Sequence, residues 1–471
     1  MTTRITPASK TGAVPLAPLE VTHVIRGRAS RPSPDDVVPG SRLVAPALHL
    51  DQLIWTRDDG LPAERLSVED IYDFLGAAGD VIRAGTSPHM KAAIESLARL
   101  RESEIDLVQE DVRNMSTLFR RDLLQLEVEQ NLGPDPYNWH ARDGYEGERF
   151  AVRAVPVRQL HIMAGNGVKN AAVAVIRTAL SRGVSLLKLP SNDPFTAPAL
   201  LQVLADLDPR HPVVQSLSAV YWRGGDSEVE SVLVRPQYFE KIVAWGGQAT
   251  MENIVRYLGP GLDLVAFDPK TSISIIAGLD AVTPEELTSI ANRSADDVRT
   301  QEGCANARHQ FVEGTAEQVD AYCRELVDAL RRQAHRNVGP TPPDIVDEAE
   351  GLRGLEPDFA VFGSYDGNGL VIRSDRPVDF YPENRTVNVV QLDDIADAAK
   401  FVGSETQTCG AYPPAVKFRL RDALTTAGVD RLCDLGDGNP VRTADFGAPH
   451  DGFWALNRMV RWVSCQLEEA R

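Results

Sequence analysis

One cysteine stands apart by its surroundings. In Arg299-Thr-Gln-Glu-Gly-Cys-Ala-Asn-Ala-Arg-His-Gln-Phe-Val312, Cys304 follows a glycine and precedes a segment that reads as a strand. The reactive form of cysteine is the thiolate, which needs access, local positive potential and room for an incoming carbonyl. Gly303, Ala305 and Ala307 leave that room. The alternative is a buried, inert thiol, the commoner fate of any single cysteine.

Further polar residues sit at the ends of apolar runs. Asn166 lies in Ala164-Gly-Asn-Gly167, which could also be a plain strand-to-helix turn. Lys188 closes Val184-Ser-Leu-Leu-Lys188 and leads into Pro190-Ser191; a solvated surface lysine is the ordinary alternative. Arg223-Gly224-Gly225 and Trp245-Gly246-Gly247 each follow a strand-like run. Glycine there permits a tight turn or close approach of backbone N–H groups to a phosphate. A GxGxxG fingerprint is absent. Each signal is weak alone, and their order (Asn166, Lys188, Gly246-Gly247, Cys304) carries the information.

The elements that position these residues alternate. Short apolar runs at 158–164, 184–189, 219–223, 241–245 and 262–267 are separated by helical patterns, the clearest at Val168–Arg182. Strands alternating with helices imply parallel βαβ units, whose ligands bind at the carboxyl ends of the strands. A second unit begins at Thr271-Ser-Ile-Ser-Ile-Ile276, with capping boxes at Thr283-Pro-Glu-Glu286 and Thr315-Ala-Glu-Gln318. The latter helix places Cys323 on its apolar face, in the core. Before these units, Ser67 caps a helix, and a second helical stretch runs from Ser87-Pro88 towards Leu126. Residues 1–60 read as extended and irregular, 338–357 as a loop, and Trp454 to Leu467 as a terminal helix.

The chain has 471 residues, enough for two or three domains, with 43 % hydrophobic and 25 % charged residues. A net charge of −18 argues against a nucleic-acid binder. Five cysteines without CxxC spacing favour free thiols over a disulfide frame or a zinc site. The start lacks the apolar core of a signal peptide and no run is long enough to span a membrane, so a cytoplasmic protein is expected.

The order of motifs resembles the aldehyde dehydrogenase superfamily, and within it the LuxC-type acyl-CoA reductases, which reduce long-chain fatty acyl thioesters. The likeness is good over 150–320 and looser beyond. It implies an α/β fold: residues 1–150 as an N-terminal extended and helical region, 151–270 as a Rossmann-like NAD(P) domain, 271–445 as the catalytic domain and 446–471 as a C-terminal helix. Asn166 resembles the family's oxyanion-supporting asparagine. Lys188 and Ser191 match the segment that holds the adenosine ribose. Trp245, Gly246 and Gly247 stand at the pyrophosphate turn, and Cys304 at the nucleophile.

The departures are informative. Ser191 replaces an acidic residue, which favours NADPH over NADH, with Arg223 near enough in order to pair with a 2′-phosphate and Gly224-Gly225 beside it. NADH remains the second candidate cofactor. In Ala266-Phe-Asp-Pro-Lys-Thr-Ser272, Phe267 falls where hydrolytic relatives carry a water-activating Glu, with Asp268 one residue off. Around Met251 the second glycine of the pyrophosphate turn is replaced, which unsettles the cofactor geometry there.

The resemblance implies reduction of an acyl-CoA or acyl carrier protein thioester to an aldehyde through a Cys304 acyl-enzyme, by a homo-dimer or homo-tetramer. Oxidation of an aldehyde to an acid, or a non-catalytic acyl-binding subunit, are the alternatives. His309, His450 and Glu302 are candidates for the general acid/base. His450-Asp451 could border a substrate tunnel, although a helix start capped by Asp451 is preferred. Cys409 reads as a second thiol in a polar turn, ranked below Cys304.

Overall fold

The computed structural model describes residues 17–33, 35–299, 301, 303–333, 339–355, 357–438 and 446–467. Among these, two seven-stranded sheets carry the architecture. The first runs in the order Asp263–Phe267, Lys241–Trp245, Arg158–Ile162, Val184–Lys188, Leu217–Val220, His23–Ile25, Arg28–Ser30. Its first five strands are parallel, and the two N-terminal strands close the far edge antiparallel. Arg158–Ile162, Val184–Lys188 and Leu217–Val220 are buried almost throughout, because helices cover both faces of such a sheet.

The strand order reverses beside Arg158–Ile162. From it the chain steps outward through Val184–Lys188 to Leu217–Val220, then returns to the other side at Lys241–Trp245. Loops leave this point in opposite directions and open a crevice at the carboxyl ends.

The second sheet has the order Ala360–Gly363, Leu370–Ser374, Thr386–Leu392, Ala307–Glu313, Thr271–Ile276, Thr406–Tyr412, Arg431–Asp434, parallel except for its first strand. The segment Asp268-Pro-Lys270 joins the end of Asp263–Phe267 to the start of Thr271–Ile276. Residues 304, 272 and 407 all lie at the amino ends of this sheet's strands. Carboxyl ends of one sheet and amino ends of the other therefore border one cleft.

Four helices, Val68–Ala84, Pro88–Arg101, Ile105–Met115 and Arg121–Leu132, precede the first sheet. The single helical stretch expected from Ser87 onward is broken at Glu102, whose φ of 52° takes the chain out of the helix, and again after Met115. The helices starting at Pro284 and Ala316 carry the expected capping boxes, and Cys323 is fully buried.

Two expectations are corrected. The C-terminal helix is a single turn, Ala455–Arg458, followed by the strand Arg461–Gln466. That strand pairs antiparallel with Arg149–Val155, which in turn pairs with His140–Asp143. Trp462 and Val463 suit a pleated ladder, and the free strand edge overrides local helix propensity. The segment read as a loop contains the helix Pro343–Arg353, started by a proline whose missing N–H costs nothing in the first turn. No helix among the described residues is long and apolar enough to cross a membrane.

Candidate active site

Cys304 sits in the connection between the helix Pro284–Val298 and the strand Ala307–Glu313. The helix stops because Arg299 and Gln301 adopt φ of 49° and 57°. Side chains then hold the loop. Asn306 Oδ1 accepts from Gly303 N at 2.9 Å, while its Nδ2 donates to Asp297 O at 3.3 Å. Ser272 Oγ donates to Cys304 O at 2.7 Å and accepts from Thr408 N at 3.1 Å, tying the loop to two strands. Gln301 Nε2 donates to Thr386 O at 2.6 Å.

Cys304 is partly exposed, and its sulfur has a polar side chain close by. Gln407 Nε2 donates to Cys304 Sγ at 3.1 Å and to Asp451 Oδ1 at 2.5 Å. Burial, and then the Asp451 carboxylate, push the Cys304 thiol above its ordinary value. The Gln407 donor, the Lys169 ammonium and the Ala305 N–H pull it back down. Asp451 is itself raised, chiefly by burial. Its side chain reaches Gln407 from a tight turn in which His450 and Phe453 form a bridge and Asp451 takes a φ of 49°. Asp451 is therefore no helix cap; the helix beyond it starts at Ala455.

Cys304 opens into a cavity of about 710 Å³. Asn166, Lys188, Ser191, Trp245, Gly246 and Gly247 line the same cavity. Asn170 Nδ2 donates to Asn166 Oδ1 at 2.7 Å, so the amide oxygen is engaged and its nitrogen is the donor. The preceding Gly165 is required by close approach: a Cβ there would collide with the Asn192 side chain and stand 2.8 Å from Asp193 N. Arg101 Nη2 donates to Gly165 O at 2.5 Å and braces this turn from the N-terminal helices.

Gly246 and Gly247 precede the helix Gln248–Val255, and a Cβ on Gly247 would meet nothing within 4 Å. An open backbone at a helix N-terminus fits a phosphate. Met251 points into the core below. Lys188 is half-buried; burial lowers its pKa and the buried Glu230 carboxylate opposes that. These residues suit a nicotinamide dinucleotide. Arg223, Gly224 and Gly225 do not line the cavity, and Arg223 is exposed. Gly224 stands behind the lysine, with Lys188 Nζ 3.8 Å from where its Cβ would be.

Phe267 ends its strand against Trp245, stacked at 3.7 Å between ring centroids. His450 meets the Phe267 ring edge-on at 5.3 Å, and Phe453 lies 5.1 Å away. An aromatic cluster thus surrounds Phe267, the position where the resemblance expects hydrolytic relatives to carry a Glu. Asp268 lines the cavity one residue on.

Of the acid/base candidates, His309 lies outside the cavity lining, with Nδ1 3.1 Å from Asn388 Oδ1. His450 lines the cavity, and Glu302 is outside the described residues. Cys409 is not in a polar turn: it is fully buried in the strand Thr406–Tyr412. Sequence reading missed Gln407, two residues before Cys409, whose only local signal is a polar residue at the start of an apolar strand. It also missed Arg308, buried over the Tyr381 ring at 4.1 Å with Nη2 donating to Gln301 O at 2.5 Å. Arg101 carries no local signal.

The cysteine loop, asparagine turn and glycine turn facing one cavity agree with a match across most of the chain: residues 63–462 match the acyl-CoA reductase (LuxC) family. The chain belongs to this family. The relatives it resembles in sequence are named as thioester reductases, a class of oxidoreductase. A long-chain acyl-protein thioester reductase of Photorhabdus laumondii is 30 % identical over 324 residues, 66 % of this chain and 65 % of that protein. The Vibrio harveyi protein of the same name is 26 % identical over 437 residues, 88 % of this chain and 86 % of that one. The fold is that of aldehyde dehydrogenases. An NADP-dependent glyceraldehyde-3-phosphate dehydrogenase from Bacillus halodurans superposes with a TM-score of 0.67 over 96 % of this chain and 99 % of that one, at 14 % identity.

Proposed function

We propose that the protein reduces an acyl thioester, carried on CoA or on an acyl carrier protein, to the aldehyde through a Cys304 acyl-enzyme, with NADPH as the preferred reductant. The observation that carries this reading is a held Cys304 facing the same cavity as Phe267, which is stacked on Trp245.

The Cys304 thiolate adds to the thioester carbonyl. Asn166 Nδ2 and a backbone N–H of the cysteine loop receive the developing oxyanion, a contribution of about 3 kcal/mol in comparable sites. The carrier sulfur leaves and takes up the proton that Cys304 gave up. Phe267, packed against Trp245 and His450, offers no base for water at its position, and the Asp451 carboxylate is engaged by Gln407, so hydrolysis of the acyl-enzyme is slow. A reduced nicotinamide, when bound, would supply the hydride to the acyl carbon. Collapse of the resulting oxyanion expels the Cys304 thiolate, which the Gln407 donor stabilises as a leaving group, and frees the aldehyde. Lys188, Ser191 and the Gly246-Gly247 turn are the cofactor's seat. Preference for the 2′-phosphate rests on the absence of a carboxylate at Ser191, since Arg223 lies outside the cavity.

The test is a spectrophotometric assay of NADPH and NADH consumption with acyl-CoAs and acyl carrier protein thioesters, beside Cys304→Ala. Consumption by the native protein alone, with aldehyde formed, is expected. Formation of acid from free aldehyde and NADP+ would establish the dehydrogenase instead. No turnover in either direction would leave an acyl-binding subunit.

A further inference from the structure

Gly224 and Gly225 stand outside the cavity, and what their turn holds is a carboxylate. Gly225 takes a φ of 81°, a left-handed position suited to glycine, and its N–H donates to Glu230 Oε1 at 3.0 Å. Trp222 Nε1 donates to the same oxygen at 3.3 Å, and Asn253 Nδ2 donates to Glu230 Oε2 at 2.7 Å. Glu230 lies on the short helix Ser227–Leu233, 2 % exposed and outside the cavity lining. A carboxylate taken so far out of water is costly unless its oxygens are bonded, and here both are.

Its partners belong to the two sides of the cofactor's seat. Asn253 sits on Gln248–Val255, the helix that begins at the Gly246-Gly247 turn. Gly225 belongs to the turn against which the Lys188 ammonium rests, with Nζ 3.8 Å from where a Gly224 Cβ would stand. Glu230 thus ties the backing of Lys188 to the helix whose N-terminal glycines line the cavity. Burial disfavours the Lys188 ammonium, and the Glu230 charge favours it. The Tyr257 phenol also faces Glu230; burial and then that carboxylate raise its pKa, so it stays a neutral donor.

We propose that Glu230 is a positioning residue for the nicotinamide cofactor: it fixes Lys188 and the helix Gln248–Val255 at one separation and keeps the lysine cationic for a phosphate-bearing ligand. This rests on the cofactor reading of Lys188 and the Gly246-Gly247 turn. A carboxylate set behind a glycine turn supports the lysine without itself facing a 2′-phosphate. Glu230 therefore acts on the cofactor only through the groups it holds.

Two measurements test this without turnover. In the cofactor-free protein, acetylation of Lys188 by acetic anhydride from pH 7 to 10, read by mass spectrometry, follows the lysine's titration. Glu230→Gln keeps a bonding side chain without the charge, and its labelling curve is expected about one pH unit lower. Isothermal titration calorimetry gives the Kd for NADPH, which should rise by about tenfold in Glu230→Gln at pH 9. Added to Lys188→Met, the same substitution should change Kd little, because its effect passes through the lysine. An unshifted Lys188 curve in a folded variant, or equal losses of affinity in both backgrounds, would overturn the inference. Absence of NADPH and NADH binding by the native protein would overturn the cofactor seat itself, whatever the labelling shows, and this inference with it. Should Glu230→Gln not fold, Glu230→Asp, which draws the carboxylate back by one methylene, is read in the same way for a smaller shift.

Discussion

Gln407 Nε2 donates to Cys304 Sγ at 3.1 Å across 103 residues of chain. The same nitrogen donates to Asp451, so one amide links the thiol to a buried carboxylate. The donor favours the thiolate and the carboxylate opposes it, and burial leaves the thiol above its ordinary value.

Thiolate formation in this trio is testable by pH-dependent alkylation. Gln407→Leu removes the donor and is expected to raise the Cys304 pKa, slowing iodoacetamide alkylation at pH 7 by about tenfold. Asp451→Asn removes the opposing charge and should lower the pKa and speed alkylation. Rate profiles from pH 6 to 10, read by mass spectrometry of the Cys304 peptide, check both. Profiles that overlay the native one would deny Gln407 and Asp451 any hold on the sulfur.

Phe267 blocks water activation in the proposed mechanism. Phe267→Glu should raise acid formation from an acyl-CoA without reductant by about tenfold or more, the lower end of general-base catalysis. Continuous release of free CoA is the readout, with circular dichroism confirming the fold. An unchanged hydrolysis rate in a folded variant would remove Phe267 from the argument.

The five thiols differ in access. Cys465 is exposed and Cys304 partly so, whereas Cys323, Cys409 and Cys433 are buried. Burial also pushes the Cys433 thiol up to about 12. Native alkylation followed by peptide mapping should therefore mark Cys304 and Cys465, and the other three only after unfolding. Modification of Cys409 in the native protein at the rate of Cys465 would contradict its place in the sheet.

Acid stability should report His23. Its Nε2 accepts from Tyr221 N at 3.0 Å, which demands a neutral ring, and burial lowers its pKa from 6.5 to about 4. A base with a depressed folded pKa binds fewer protons folded than unfolded. Its contribution is complete above pH 6.5 and is lost as pH falls towards about 4. The loss amounts to roughly 3 kcal/mol. His23→Gln keeps an acceptor without the titration, so its Tm should fall less than the native Tm between pH 6.5 and 4. Parallel Tm curves would place the acid sensitivity elsewhere.

Much of the fold was legible locally. Apolar runs marked Arg158–Ile162, Val184–Lys188, Lys241–Trp245, Asp263–Phe267 and Thr271–Ile276 to within a residue or two, because strands buried on both faces admit little else. Thr283 and Thr315 announced their helices through bonds made three residues away. The C-terminal strand was not legible, since its partner Arg149–Val155 lies some three hundred residues earlier. Nor was the interior place of Cys409, whose polar neighbours Gln407 and Thr408 are buried with it.

By itself, the sequence determined the alternation of strands and helices, the glycine turns at their ends and a cysteine freed by small neighbours. Each depends on residues within a few positions of one another. Only the tertiary structure decided what surrounds the sulfur. Parallel pairing aligns Thr271 with Thr406 and Ser272 with Ala307, and this register sets Gln407 beside the cysteine loop. A left-handed residue at position 451 then turns Asp451 onto Gln407. Contacts so distant in sequence form only when the sheets assemble, and no local pattern encodes them.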